Sequence, residues 1–271
     1  MKRFIIGISV YLLVCILVSE FFTYTNISRP LGHEFRSAHQ LSKKKTKKKV
    51  RKLIIGDSTG YALYPCDKNY NDIVSLACGT SISMGGHYIL LNNYIEANSD
   101  NLPSEVVLLL TPLSLSNDLD ECAYQYFLKP FPMWKYKPLF TDHLYGRIKS
   151  IPFYWTAYLP FVHSSNYTPE KCVPPQQEHT NISQTSYEYM LLIDSLAKAH
   201  DIPLTMLSTP VRDDRRQQIS KIKSDLADLG NLEHLANPYV ESITYFPSEM
   251  FHDEVHLRKL NIPNDYLGIL N

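Results

Sequence analysis

Two short stretches of this chain carry residues with the right types and spacing for chemistry. One is Gly56-Asp57-Ser58, near the start of the regular part of the sequence; the other holds Asp253 and His256, three residues apart near its end. A serine hydroxyl is a poor nucleophile at neutral pH unless a base takes its proton as it attacks, and imidazole suits that task. A carboxylate nearby fixes the imidazole tautomer and stabilises the imidazolium that forms. Ser58 as nucleophile, His256 as base and Asp253 as its orienting partner together describe acyl transfer, which calls for no metal and no cofactor. His252, Asp253 and His256 could instead hold a metal, since histidines four apart share a helix face. No glutamate follows His252 in the metalloprotease position and no helical pattern surrounds it, which favours the triad. Asp57 reads as a residue that fixes the turn, and His87, after Gly85-Gly86, as a polar surface residue.

These groups need a scaffold that brings the two ends of the chain together. Residues 50–55, apolar from Leu53, stop at Gly56 in the pattern of a buried strand entering a tight turn. Residues 73–77 suggest a second strand before Gly79, and 83–98 a helix. Residues 105–110, Glu-Val-Val-Leu-Leu-Leu, read as a parallel strand covered on both faces. Residues 114–183, rich in proline and aromatics, read as an irregular insertion with short helices. Regularity returns with a helix over 185–200, a strand over 202–207, a helix over 215–229 and a last strand over 242–246. This alternation specifies an α/β domain with a mostly parallel sheet. Ser58 and the Asp253–His256 loop each follow a strand, so both belong at the carboxyl edge of that sheet. There the Ser58 N–H can also help to bind an oxyanion.

Gly-Asp-Ser near the start of the domain and Asp-x-x-His near its end resemble the first and last blocks of the SGNH (GDSL) hydrolase superfamily. The resemblance spans residues 50–271. It implies a three-layer α/β/α sandwich, with the triad on Ser58, Asp253 and His256, and oxyanion donors from a glycine after the second strand and an asparagine after the third. Gly79 stands in the first of those places. The second departs from the family pattern: the strand runs into Thr111-Pro-Leu-Ser-Leu-Ser-Asn-Asp118, where Asn117 serves only if the loop folds back and Ser114 or a backbone N–H is the substitute. The membrane-tethered branch of such proteins transfers or removes acetyl groups on extracellular glycans. By that likeness the substrate is an acylated carbohydrate or small ester. A catalytically silent module that binds glycan or a partner in a cell-envelope assembly is the alternative, motivated by the altered asparagine block.

The remaining features concern location. Residues 4–22 form an apolar run behind Lys2 and Arg3, without a convincing small-x-small cleavage site, and read as an uncleaved membrane anchor over residues 1–24. Residues 25–49 then form a polar, basic tether, and the domain occupies 50–271. The run from Lys43 to Lys52 carries eight positive charges, yet the whole chain balances 27 basic against 27 acidic residues, so no nucleic-acid partner is implied. The domain is expected on the extracytoplasmic side. Cys66, Cys78, Cys122 and Cys172 are compatible with two disulfides there, in any of three pairings.

Overall fold

The structure, a computed structural model, describes residues 2–24, 33–119, 124–158 and 181–258, with backbone alone for 19–24 and Thr80. Its centre is a parallel sheet of β1 (Lys52–Gly56), β2 (Ile73–Ser75), β3 (Glu105–Leu110) and β4 (Leu204–Ser208) in the order β2-β1-β3-β4. The apolar runs of β1 and β3 are explained by burial on both faces. Leu53, Ile55, Val106, Leu108 and Leu110 join the large core on one side, and Ile54, Val107 and Leu109 a smaller cluster on the other. Each such side chain contributes about 1.5–3 kcal/mol by leaving water.

α4 (Ser83–Ala97) and α8 (Gln184–Ala199) pack together, as the right-handed rule for crossovers running in the same direction along a parallel sheet requires. The cores of α9 (Arg216–Ala227) and α10 (Glu233–Ser242) extend that layer. Among the described residues, the opposite face is covered by α3 (Ser58–Leu63), Tyr64 and Tyr70. The chain leaves β1 toward β2, then returns past β1 to β3. The strand order therefore reverses between β1 and β3, and the crevice above their carboxyl ends is the usual ligand site of an open parallel sheet.

A second parallel pair, β5 (Val211–Arg212) and β6 (Tyr245–Phe246), leads into the terminal loop. The strand expected over 242–246 shrinks to two residues because α10 runs to Ser242. Pro238 reads as a helix breaker, but Leu235, Ala236 and Tyr239 bury one face of α10 around it. The aromatic insertion consists, in its described parts, of α5 (Tyr124–Leu128), α6 (Met133–Tyr136), α7 (Asp142–Ser150) and 3-10 turns. It sends Phe127, Leu128, Phe131, Leu144 and Ile148 into the main core.

The polar tether expected over 25–49 needs correction from residue 33 onward. α2 (His33–Ser42) packs on α4 and buries Phe35 and Ala38, three apart, with Leu41 partly buried beside them. The lysine run that follows is strapped to the domain. Thr46 N–H donates to Asn98 Oδ1 at 2.7 Å, and Asn101 Nδ2 donates to the carbonyls of Thr46 and Lys48 at 2.9 Å. Ahead of α2, α1 (Lys2–Tyr24) is a 23-residue helix whose apolar side chains, from Phe4 to Val18, are exposed. Among the residues whose side chains are described, no helix is long and apolar enough to cross a membrane; the apolar run of the sequence continues past Val18 to Phe22.

Candidate functional site

Asp57 organises the turn after β1. Its fully buried carboxylate caps α3 by accepting the N–H groups of Thr59 (2.8 Å) and Gly60 (3.0 Å) and the Thr59 hydroxyl (2.5 Å) on Oδ1. On Oδ2 it accepts the Thr111 N–H (2.7 Å) and the Ser114 hydroxyl (2.5 Å). One carboxylate thus ties the turn after β1 to the turn after β3. The capping role expected for Asp57 is what the geometry provides. Asp57 takes the N–H groups of Thr59 and Gly60, and the Ser58 N–H, at the first helical position, has by helix geometry no intrahelical partner. Gly56 and Gly60 let β3 come this close: a Cβ on either would stand 2.6 Å from the Leu109 carbonyl oxygen.

The terminal loop is equally determined. Asp253 accepts the Val255 N–H (2.9 Å) and the His256 N–H (2.8 Å), and His256 Nδ1 lies 2.8 Å from Asp253 Oδ2. Donation from Nδ1–H leaves Nε2 as the basic nitrogen. Burial acts to raise the Asp253 pKa, but the two backbone N–H groups and the imidazole outweigh it and hold the carboxyl at about 2. The loop is closed by the His252 N–H on the His256 carbonyl at 2.7 Å and by a bridge between Phe251 and Leu257. Arg212, from β5, donates to the Asp253 carbonyl at 3.2 Å. His256 remains about one third exposed, with 32% of its side chain accessible.

The two ends of the chain meet at a small cavity. Thr59, Ala62 and Leu63 form one wall, Thr209 and Pro210 another, and Val255 and Leu257, the neighbours of His256, the third. Thr59 Oγ1 also pairs with Thr209 Oγ1 at 2.7 Å, fixing the end of β4 to the same turn. Thr59 follows Ser58, and Val255 and Leu257 flank His256, but Ser58, Asp253 and His256 do not line this cavity themselves, and no hydrogen bond joins Ser58 Oγ to His256 Nε2 among the described residues; unliganded sites are often loose in this way.

Gly79 lies at the same edge, because the Cys78 N–H donates to the Gly56 carbonyl at 2.9 Å and brings the following residue beside the Ser58 turn. A Cβ on Gly79 would stand 2.5 Å from the Phe35 ring of α2, so close packing requires glycine there. Asn117 is placed differently. It ends the 3-10 turn Pro112–Ser116, its N–H donates to the Ser114 carbonyl, and its carbonyl accepts the Ser183 hydroxyl at 3.0 Å. Asp118 beside it is held by Thr185 (2.5 Å), His143 (3.1 Å) and Arg147 (3.5 Å). This junction pins the loop to α7 and α8, whereas Ser114 turns toward Asp57.

Sequence reasoning missed the Ser114, Thr209 and Arg212 contacts, for which no local signal exists. His87 requires a correction: it is buried on α4, not on the surface. Burial lowers its pKa to about 4, against a smaller upward pull from Asp57, and its Nδ1 has no hydrogen-bond partner among the described residues. Cys66 and Cys78 are buried free thiols, which removes the disulfides expected of them; Cys122 and Cys172 lie outside the described residues. No protein-family model matches the chain, and no curated protein does. Among solved structures the chain is similar to a "putative acylhydrolase" from Bacteroides fragilis at 11% identity, over 88% of this chain and 96% of that one, with a TM-score of 0.39. A likeness that slight bears no weight, and the fold rests on the strand order and the packing above.

Proposed function

We propose that this chain is an SGNH-like serine esterase or O-acyltransferase, anchored by its N-terminal helix, that acts on an ester, most simply an acetyl group, of an extracytoplasmic glycan. The observation that supports it best is the 2.8 Å pairing of His256 Nδ1 with Asp253, in a loop whose Val255 and Leu257 line a small cavity together with Thr59, the residue after Ser58. In the proposed reaction Ser58 Oγ attacks the ester carbonyl while His256 Nε2 takes its proton, and Asp253 stabilises the imidazolium. The N–H groups of Ser58 and Gly79 hold the oxyanion, each such donor being worth about 10²–10³ in rate. Collapse expels the alcohol, which recovers the proton from His256. Water then releases the acyl group as the acid, or a sugar hydroxyl accepts it. Support for the anchor comes from the sequence alone, in the apolar run of residues 4–22 behind Lys2 and Arg3.

A second reading, a catalytically silent glycan- or partner-binding module, draws on the engagement of Asn117 with Ser114 and Ser183. One experiment separates the two. A fluorophosphonate probe should label the wild-type chain and spare Ser58→Ala and His256→Ala; a folded wild type that stays unlabelled excludes the enzyme reading.

A further inference from the structure

Outside α1, the large apolar side chains that stand exposed among the described residues are Trp134, Phe153 and Trp155, at 75%, 69% and 53% accessibility. They lie in one region. Trp134 packs on Tyr158 with ring centroids 4.7 Å apart, and Phe153 meets Trp155 edge-on at 6.5 Å. Trp155 and Tyr158 are three residues apart in the 3-10 turn Tyr154–Tyr158, so they project from the same side of it. Phe153 holds a φ of 56°, a left-handed conformation that an aromatic residue rarely adopts, and its ring faces solvent nonetheless. A strained turn that displays an apolar ring to water has no explanation in the packing of the described residues.

Lysines stand on neighbouring tyrosine rings of the same insertion. Lys135 and Lys43 lie over Tyr136 at 5.3 and 5.6 Å, Lys137 over Tyr145 at 4.9 Å, and Lys149 over Tyr154 at 4.9 Å. From residue 133 to 158 the sequence holds Lys135, Lys137, Arg147 and Lys149 against a single carboxylate, Asp142. Exposed tryptophan and phenylalanine bordered by lysine is the composition that settles at the headgroup level of an anionic bilayer. The position in the chain agrees. α2 packs on this region through Phe35 against Tyr126 and His39 against Phe131 and Tyr136. Only eight residues separate the end of α1 from the start of α2, a link of at most about 30 Å even when fully extended.

We infer that the face formed by Trp134, Phe153, Trp155 and the neighbouring lysines lies on the surface of an anionic lipid bilayer, a second contact that orients the domain. The inference rests on the membrane reading of α1 for its geometry, but it has its own observable. The chain's two tryptophans are both in this patch, so selectively excited tryptophan emission reports on nothing else.

The test reconstitutes the full chain in phosphatidylcholine vesicles containing about one third phosphatidylglycerol, with and without brominated acyl chains. Quenching of about half or more of the tryptophan emission, with a blue shift, is expected. Lys135→Glu with Lys137→Glu and Lys149→Glu should abolish most of that quenching, and Trp134→Phe should leave Trp155 as a single quenched reporter. If the chain floats with the vesicles and resists alkaline extraction while its tryptophans stay unquenched, the surface contact is wrong and the anchor stands. Quenching of a chain that alkali strips from the vesicles would sink the anchor and retain the contact. A chain that neither floats nor quenches overturns both, and tryptophans that respond to a soluble glycan but not to lipid mark a sugar platform and overturn the contact.

Discussion

The hydroxyl of Ser114 donates to the buried carboxylate of Asp57 at 2.5 Å, joining the turn after β3 to the turn that presents Ser58. Removal of the carboxylate would strand buried donors on both turns, Thr59, Gly60, Thr111 and Ser114 among them. An unsatisfied buried donor costs about 1–3 kcal/mol. Asp57→Ala is therefore expected to destabilise the domain by about 3 kcal/mol or more, and Ser114→Ala by about 1.5–3 kcal/mol through loss of one charge-assisted bond. Urea unfolding followed by circular dichroism measures both; an Asp57→Ala midpoint equal to wild type would mean that the carboxylate does not hold the two turns together.

Asp253 and His256 make a separable prediction, because their loop lies outside the main core. Asp253→Asn should leave stability near neutral pH within about 1 kcal/mol, since its partly exposed site screens the interaction. It should nevertheless lower turnover of an activated ester by about 10³–10⁴-fold, as a misoriented imidazole cannot take the serine proton. The folded carboxyl, at about 2, lies below its unfolded value. Its contribution to stability is thus complete above about pH 4 and fades as the pH falls toward 2. Ester hydrolysis and acid-unfolding curves of wild type and Asp253→Asn should differ in those two ways, and turnover that survives the substitution would remove Asp253 from the reaction.

Local signals reveal much of the sheet and rather less of the site. The run of residues 105–110 reads directly as a two-sided buried strand, and Gly56-Asp57-Ser58 as a turn on a strand end, because each is fixed by near neighbours in sequence. α2 is hidden because only Phe35, Ala38 and Ser42 are fully buried on it, too few to outvote its polar residues. The helix expected over 83–98 is present, but nothing in its pattern reveals that His87 is buried on it or that Gly85 lies against Leu144 of α7 and Tyr189 of α8. The four cysteines beyond the N-terminal run suggest pairing, but Cys78 and Cys66, whose thiol burial pushes up to about 12, are buried free thiols. What could not be read is what tertiary contact alone decides: Ser114 on Asp57, Thr209 on Thr59, Arg212 on Asp253.

His87 gives the fold a pH dependence of its own. Its pKa falls from the ordinary 6.5 to about 4 through burial, so the unfolded chain binds a proton over an interval where the folded chain does not. Stability is then complete above about pH 6.5 and declines as the pH drops toward 4. His39, lowered to about 3 by burial and by Lys43 and Lys135, acts in the same direction. His87→Gln should flatten the fall in melting temperature between about pH 6.5 and 4 relative to wild type. An unchanged slope would show that His87 does not remain neutral inside the fold.

The contact between Gly79 and Phe35 allows a double-mutant test of the link between α2 and the site. A Cβ on residue 79 would stand 2.5 Å from the Phe35 ring, so Gly79→Ala has to displace α2, the turn after β2, or both. Overpacking of this kind costs about 1–3 kcal/mol. Phe35→Leu alone should also destabilise the domain, by vacating part of a buried ring. In the double variant the smaller side chain makes room for the methyl group, and the two losses should be less than additive by about 1 kcal/mol. If the losses are shared in this way, α2 belongs to the folded domain and sets the position of the Gly79 N–H; strict additivity in chemical unfolding would mean that the two residues do not meet.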